Sequence, residues 1–212
     1  MTGEAWAVLG AAAIVAVVDW IAVARRPNRV EWVAKPLTLV LLVAFALVLV
    51  PDDDGQRAWF VVALVCSLAG DILLLPSVDR FVPGLTAFLL AHLAYVIGFV
   101  VGGIVLAAVP VAVALVALVA IPLGRRLVAG ARGSGADSVV VPVTVYVVVI
   151  ATMVVAALAA ANHAAVAGAM LFMASDALIG WTRFVRSIRG APVAIMVTYH
   201  VGQALLIASL VA

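Results

Sequence analysis

At 212 residues, 68% of them hydrophobic and only 10% charged, with a mean hydropathy of +1.35, the chain lies far outside the composition of a water-soluble domain. A formal net charge of +2 would mean a basic partner surface in a soluble protein; here the distribution of charge matters more because it sets topology, and no nucleic-acid partner is expected. The single cysteine, Cys66, excludes an intrachain disulfide and any cysteine-based zinc or redox motif.

Spanning the hydrocarbon core of a bilayer takes roughly 20 apolar residues in helix. The sequence divides into eight such stretches, at 4–24, 33–50, 57–76, 82–101, 103–123, 139–160, 163–182 and 191–211. The first carries Glu4 where a leader would carry basic residues, and its apolar run is long for a signal peptide, so it is expected to be a span. Turn chemistry separates the stretches: Arg25 to Arg29 with Pro27, Asp52-Asp53-Asp54-Gly55, Ser77 to Arg80, Gly102-Gly103, Arg125 to Asp137, Asn162, and Arg183 to Gly190. The fold class that follows is all-α, a polytopic membrane protein of eight transmembrane helices forming a single integral membrane domain over 1–212.

Placing the first loop in the cytoplasm puts eleven of the twelve Lys and Arg residues there and leaves Arg57 outside, as the positive-inside rule requires. Both termini are then non-cytoplasmic. One Lys beside eleven Arg, amid abundant Ala and Val, hints at GC-rich bacterial coding, and a bacterial plasma membrane is the expected location.

The two halves, about 1–102 and 103–212, resemble each other. Lys35-Pro36-Leu37-Thr38 answers to Val141-Pro142-Val143-Thr144 at an offset of 106, and Gly70-Asp71 answers to Ser175-Asp176 at 105. His92 and His200 continue the series at 108, and Arg25-Arg26 against Arg125-Arg126 opens it at 100. A parallel 4+4 repeat implies a pseudo-two-fold axis along the membrane normal, with a site near that axis.

A carboxylate inside the bilayer costs several kcal/mol unless it has a partner or a task, which singles out Asp71 and Asp176 as catalytic candidates. Counting back from Pro76 at ~1.5 Å per residue, Asp71 lies roughly 8 Å inside the cytoplasmic boundary, and Asp176 falls at a similar depth. Lys35 and Thr38, His92 and Tyr95, Tyr146, and Tyr199 with His200 and Gln203 occur at compatible heights. His92 and Tyr95 share a helix face, as do Tyr199 and Gln203. The plain alternative is that each acid is solvated or paired with Lys35 or a loop arginine for assembly alone. Asp19, without a repeat partner, is expected to snorkel or pair with an arginine, and Asp52 to Asp54 to form a solvated turn. For His92 and His200 the alternative is an interhelical hydrogen bond. A zinc site from both histidines and the acids lacks close-spaced ligands, so no metal or other cofactor is expected.

These motifs together resemble the YhhN-like integral membrane family, to which the lysoplasmalogenases belong. The resemblance runs through Lys35-Pro36-Leu37-Thr38, Gly70-Asp71, Phe88 to Tyr95, Tyr146, Phe172 to Asp176, and Tyr199 to Gln203. It covers most of the chain, and His200 stands where the family pattern carries an aromatic residue. The resemblance implies an eight-helix enzyme that hydrolyses the vinyl ether bond of lysoplasmalogen, releasing a fatty aldehyde and a glycerophospho-head group, with its two acidic positions at Asp71 and Asp176. Its partners would be a lysophospholipid substrate and membrane lipids.

The chemistry suits the residues, because vinyl ether hydrolysis begins by protonating carbon and continues with water attacking an oxocarbenium-like cation. In water a carboxyl of pKa ~3.9 is protonated about one part in a thousand at neutral pH, and removing water or adding a second carboxylate favours the neutral form. Paired carboxyls divide such work in glycosidases. Lys35, with arginines from the same side, is expected to hold the substrate phosphate, with His92 and Tyr95 in the same binding set. Tyr146, Tyr199 and Gln203 would position water or the glycerol hydroxyl. Which aspartate is the acid stays open, as does oligomeric state. The competing classes are a small proton-coupled transporter, which also uses buried acids and repeats, and a non-catalytic lipid-binding membrane protein.

Overall fold

The structure is a computed structural model that describes residues 1–25, 29–133 and 137–211. Arg26, Pro27 and Asn28 of the expected basic loop, with residues 134–136 of the second basic joint, lie outside the described residues.

Among the described residues are eight long helices: α1 (Gly3–Ala24), α2 (Glu31–Val48), α3 (Asp54–Leu73), α4 (Phe81–Gly102), α5 (Val109–Gly133), α6 (Val140–Ala159), α7 (His163–Phe184) and α8 (Ala191–Ala208). Each is long and apolar enough to cross a membrane. Their ends follow ordinary capping chemistry. The side chains of Asp53 and Asn162 accept from the backbone N–H groups of Gln56 at 2.6 Å and Ala165 at 3.0 Å, satisfying donors the first helical turn leaves open. Asp52 to Asp54 is therefore more than a solvated turn: Asp53 caps α3, and Asp54 pairs with Arg57 at 2.7 Å.

The largest departure from expectation is in α5. The span expected at 103–123 is replaced by a short 3-10 turn at Leu106–Ala108 and a helix running to Gly133, so Arg125, Arg126 and Arg132 are helical rather than in a loop. Arginine, leucine and alanine favour helix here against three glycines, and packing fixes the stretch in place. Gly130 lies so close to α7 that an added Cβ would meet the Phe184 carbonyl oxygen at 2.3 Å, and the Arg126 guanidinium stands over the Trp181 ring at 5.9 Å. Pro122 is accommodated inside the helix.

The helices pair in sequence order: α3 packs most extensively on α4 and α7 on α8, with α1 on α2 and α5 on α6. Contacts of α4 with α6, and of α1 and α2 with α8, join the first four helices to the last four. Apolar matching cannot drive helix association in lipid, so close approach over small residues matters. A Cβ at Gly168 would sit 2.8 Å from the Gly202 carbonyl oxygen, and one at Gly202 would sit 2.9 Å from that of Gly168. On α3 and α4, Gly70 and Gly98 make room for the Phe88 and Phe60 rings. The α2–α3 joint meets the chain's last turn, where Asp52 N–H donates to the Leu210 carbonyl at 2.9 Å. The C-terminus therefore stands at the end opposite the arginine-rich joints.

Backbone crowding at Gly168 and Gly202 makes each Gly→Ala change overpack, at a cost of about 1–3 kcal/mol, so both variants should melt several degrees lower in detergent. Gly10→Ala, with nothing within 4 Å of the added carbon, should leave the melting midpoint unchanged or raised. Equal midpoints for all three would refute the contact.

Candidate active site

Asp71 falls in the last turn of α3 and is buried. Lys35, from the second turn of α2, places its ammonium 3.3 Å from Oδ1, and Tyr199 of α8 donates its hydroxyl to Oδ2 at 2.9 Å. A carboxylate and an ammonium removed from water together lose hydration that their attraction only partly restores, so hydrogen bonds to the remaining lone pairs matter. Tyr199 supplies one.

Asp176 sits about two turns before the end of α7, its side chain 6% exposed against 1% for Asp71. Tyr146 of α6 donates to its Oδ2 at 2.5 Å, and the Nε2 atom of His92, on α4, stands 3.3 Å from the same oxygen. The Nδ1 atom of His92 lies 2.5 Å from the Phe88 carbonyl oxygen, which can only accept, so Nδ1 carries a proton. A neutral His92 then turns an unprotonated Nε2 toward the Asp176 carboxyl group. A proton on either side of that gap relieves the opposed lone pairs.

Each aspartate thus draws one partner from the preceding helix of its own half and another from the last helix of the other half. Phe172 joins the two clusters: its ring centroid lies 5.3 Å from that of Tyr199 and 4.5 Å from that of His92.

All eight residues singled out in the sequence meet in this region, seven of them buried and Asp176 partly so, in three connected groups. The third consists of Gln203, whose Oε1 accepts from the Tyr95 hydroxyl and whose Nε2 donates to Ser67 Oγ at 2.9 Å. Both ends of the Gln203 amide are therefore engaged by the protein. Ser67, unremarked in the sequence, precedes Asp71 by four residues on the same helix face, and that spacing was the available signal. Thr38 bonds only its own helix, at the Ala34 carbonyl.

His200 turns toward α1, where the indole N–H of Trp20 donates to Nδ1 at 3.1 Å. Asp19 is fully buried with neither carboxyl oxygen hydrogen-bonded, and Lys35 is the opposite charge acting on it. It neither snorkels nor pairs with an arginine among the described residues. The reason is position: the end of α1 is covered by α2 and α8.

Cavities reach Lys35 on one side of the cluster and Asp176 on the other. A vestibule of about 730 Å³, lined by Glu31, Lys35, Asp79, Thr182 and Arg183 among others, opens where the arginine-rich ends of the helices converge. Asp176 and Tyr146 line two small cavities of about 40 and 30 Å³, each with room for a water molecule.

Residues 30–210 match the model of the YhhN family. The chain belongs to the YhhN family. Among relatives, the lysoplasmalogenase TMEM86B of Homo sapiens is 32% identical over 183 residues, spanning 84% of this chain and 76% of its own. Proteins named lysoplasmalogenase in Mycobacterium bovis and Mycobacterium tuberculosis are each 35% identical over 180 residues, spanning 81% of this chain and 67% of theirs. No solved structure matches. Lys35 and Asp71 form a buried pair in this YhhN-family chain, and removing one partner of such a pair strands the other.

Lys35→Met should therefore destabilise the protein by about 3 kcal/mol or more, read as a lower melting midpoint at about 2–4 °C per kcal/mol for a chain of this size. The double change Lys35→Met with Asp71→Asn should recover most of that loss. A Lys35→Met protein as stable as wild type would show that the pair carries no such coupling.

Proposed function

We propose that this YhhN-family protein is a membrane-embedded hydrolase that cleaves the vinyl ether bond of lysoplasmalogen-type lysophospholipids, with Asp176 as the acid and Asp71 as the charged partner. The observation that carries the reading is the unlike setting of two neighbouring buried carboxyl groups. Asp71 is held by an ammonium and a hydroxyl, which favours a standing negative charge. Asp176 faces cavities and an imidazole nitrogen across a gap that calls for a proton. The names of the relatives supply the substrate class.

In this mechanism Asp176, its proton shared with His92, protonates the vinyl carbon remote from the ether oxygen. The double bond's electrons form the new C–H bond and leave an oxocarbenium ion at the carbon bearing oxygen. Asp71 and the deprotonated Asp176 stabilise that cation. Water from the adjoining cavities adds to the carbon and returns its proton to Asp176. The resulting hemiacetal collapses to a fatty aldehyde and the free glycerol hydroxyl, so one water is consumed and the acid is regenerated. Tyr146 holds Asp176 in place and Tyr199 holds Asp71. Lys35, which lines the vestibule as well as gripping Asp71, stands with Arg183 where a head-group phosphate would be bound. Gln203, bonded to Tyr95 and Ser67, supports the site from behind rather than handling water.

The interlocked partners of the two aspartates support the 4+4 repeat as part of this reading. With the arginine-rich end in the cytoplasm, the vestibule opens to the cytoplasmic side and both termini are outside.

The decisive measurement is aldehyde released by purified protein in detergent from lysoplasmalogen. Wild type should turn over, while Asp176→Asn and Asp71→Asn should each lose about 10²–10⁴-fold, the usual scale for positioned acid and base groups. Well-folded wild type without aldehyde release would sink the substrate assignment, and undiminished turnover in both variants would sink the aspartate mechanism.

A further inference from the structure

Beyond the small cavities at Asp176, which already touch α5 at Leu127, α5 and α6 part to leave an apolar groove of about 710 Å³. Its walls include Val113, Ala117, Ala120 and Gly124 on α5 with Val148 and Val155 on α6. On α5 these are spaced by three and four residues, a single helix face, and the small residues hold it open.

Three features give the groove a specific occupant. First, it adjoins the candidate site. Ala120 and Val147 line both the groove and the 30 Å³ cavity at Asp176. The 40 Å³ cavity, also at Asp176, shares Leu74, Phe81, Ile179 and Phe184 with the polar vestibule. Second, the succession is polar to apolar: Lys35 and Arg183 at one end, Asp176 in the middle, hydrocarbon at the other. Arg125 and Arg132 flank the groove's own basic end, matching a lipid with an anionic phosphate. Third, the length fits: from Ala120 to Val109 α5 advances about 16 Å at ~1.5 Å per residue, roughly half of the ~30 Å hydrocarbon core and so one leaflet's depth of chain.

We infer that the groove between α5 and α6 seats the single hydrocarbon chain of the substrate and is the lateral path by which the lipid reaches Asp176 from the bilayer and the aldehyde returns to it. The inference rests on the proposed ether hydrolysis and adds to it the binding site of the chain. The narrow point is at Leu127 and Val147, which line both small cavities. Passage there requires α5 to shift, and α5 is the least embedded of the eight spans. Head group in the vestibule, ether at Asp176 and chain along α5 then place one lysophospholipid in a single orientation.

The test has two arms, both on the full-length purified protein. In the first, turnover of a long-chain and a short-chain alkenyl lysophospholipid is compared. Val113→Trp and Ala117→Trp should lower the long-to-short ratio about tenfold, the scale on which apolar pockets discriminate chain fit. Ile14→Trp, on the exposed face of α1, should leave the ratio at the wild-type value. A ratio unmoved in both groove variants, or lowered equally by Ile14→Trp, overturns the inference. In the second arm, a non-cleavable ether lysophospholipid with a photoreactive diazirine near its chain end is irradiated with the protein. Adducts on residues 109–132 and 144–155 support the groove. Adducts elsewhere, adducts equally displaced by diacyl phospholipid, or a groove closed by self-association overturn it. A wild type that cleaves neither lipid removes the hydrolase reading alone, and the labelling arm then decides the groove by itself.

Discussion

Two carboxyl groups held out of water are the constraint on which the rest of this structure depends. An uncompensated charge in such surroundings costs several kcal/mol, so each aspartate must be met by donors, and no single helix can provide them. Asp71 is met by Lys35 from α2 and Tyr199 from α8, and Asp176 by Tyr146 from α6 beside His92 from α4. These contacts fix the rotation of six helices about their own axes. They also make α8 and α4, the last helices of the two halves, the elements that cross between them.

Close packing follows from the same requirement. Polar side chains reach one another across a bundle only if the backbones approach, and Gly168 against Gly202 is such an approach. Gly70 lets the Phe88 ring in beside Asp71, and Phe88 in turn lends its carbonyl to His92. Phe172 closes the remaining space between the two carboxyl clusters. Aromatic rings pack around the acids, while the small cavities at Asp176 leave room for water.

Much of the site is legible in the residues alone. Lys35, Asp71, His92, Tyr95, Tyr146, Asp176, Tyr199 and Gln203 stand out because polar side chains are rare and expensive in apolar spans. Their pairing is not legible: Tyr199 lies 128 residues from Asp71, and Trp20 lies 180 residues from His200. The partners of Gln203 are no more legible, with Tyr95 and Ser67 at the two ends of its amide. Asp19 looks like a snorkelling charge until α2 and α8 are found to cover it. The basic stretch of α5 reads as a loop because arginine marks a membrane boundary, yet its helix continues where α7 packs beside it.

What the sequence by itself determined was membership of the lipid phase, the number of spans, the end at which the positive charge collects and the short set of groups able to do chemistry. All of these are local properties of composition along the chain. Only the tertiary structure decided which donor meets which carboxylate and where the vestibule and the lipid-facing groove lie. In a soluble helix an apolar stripe tells which face turns inward. In lipid both faces of most of these helices are apolar, so the rotation of each is left to packing and to a few buried hydrogen bonds between residues far apart in the chain.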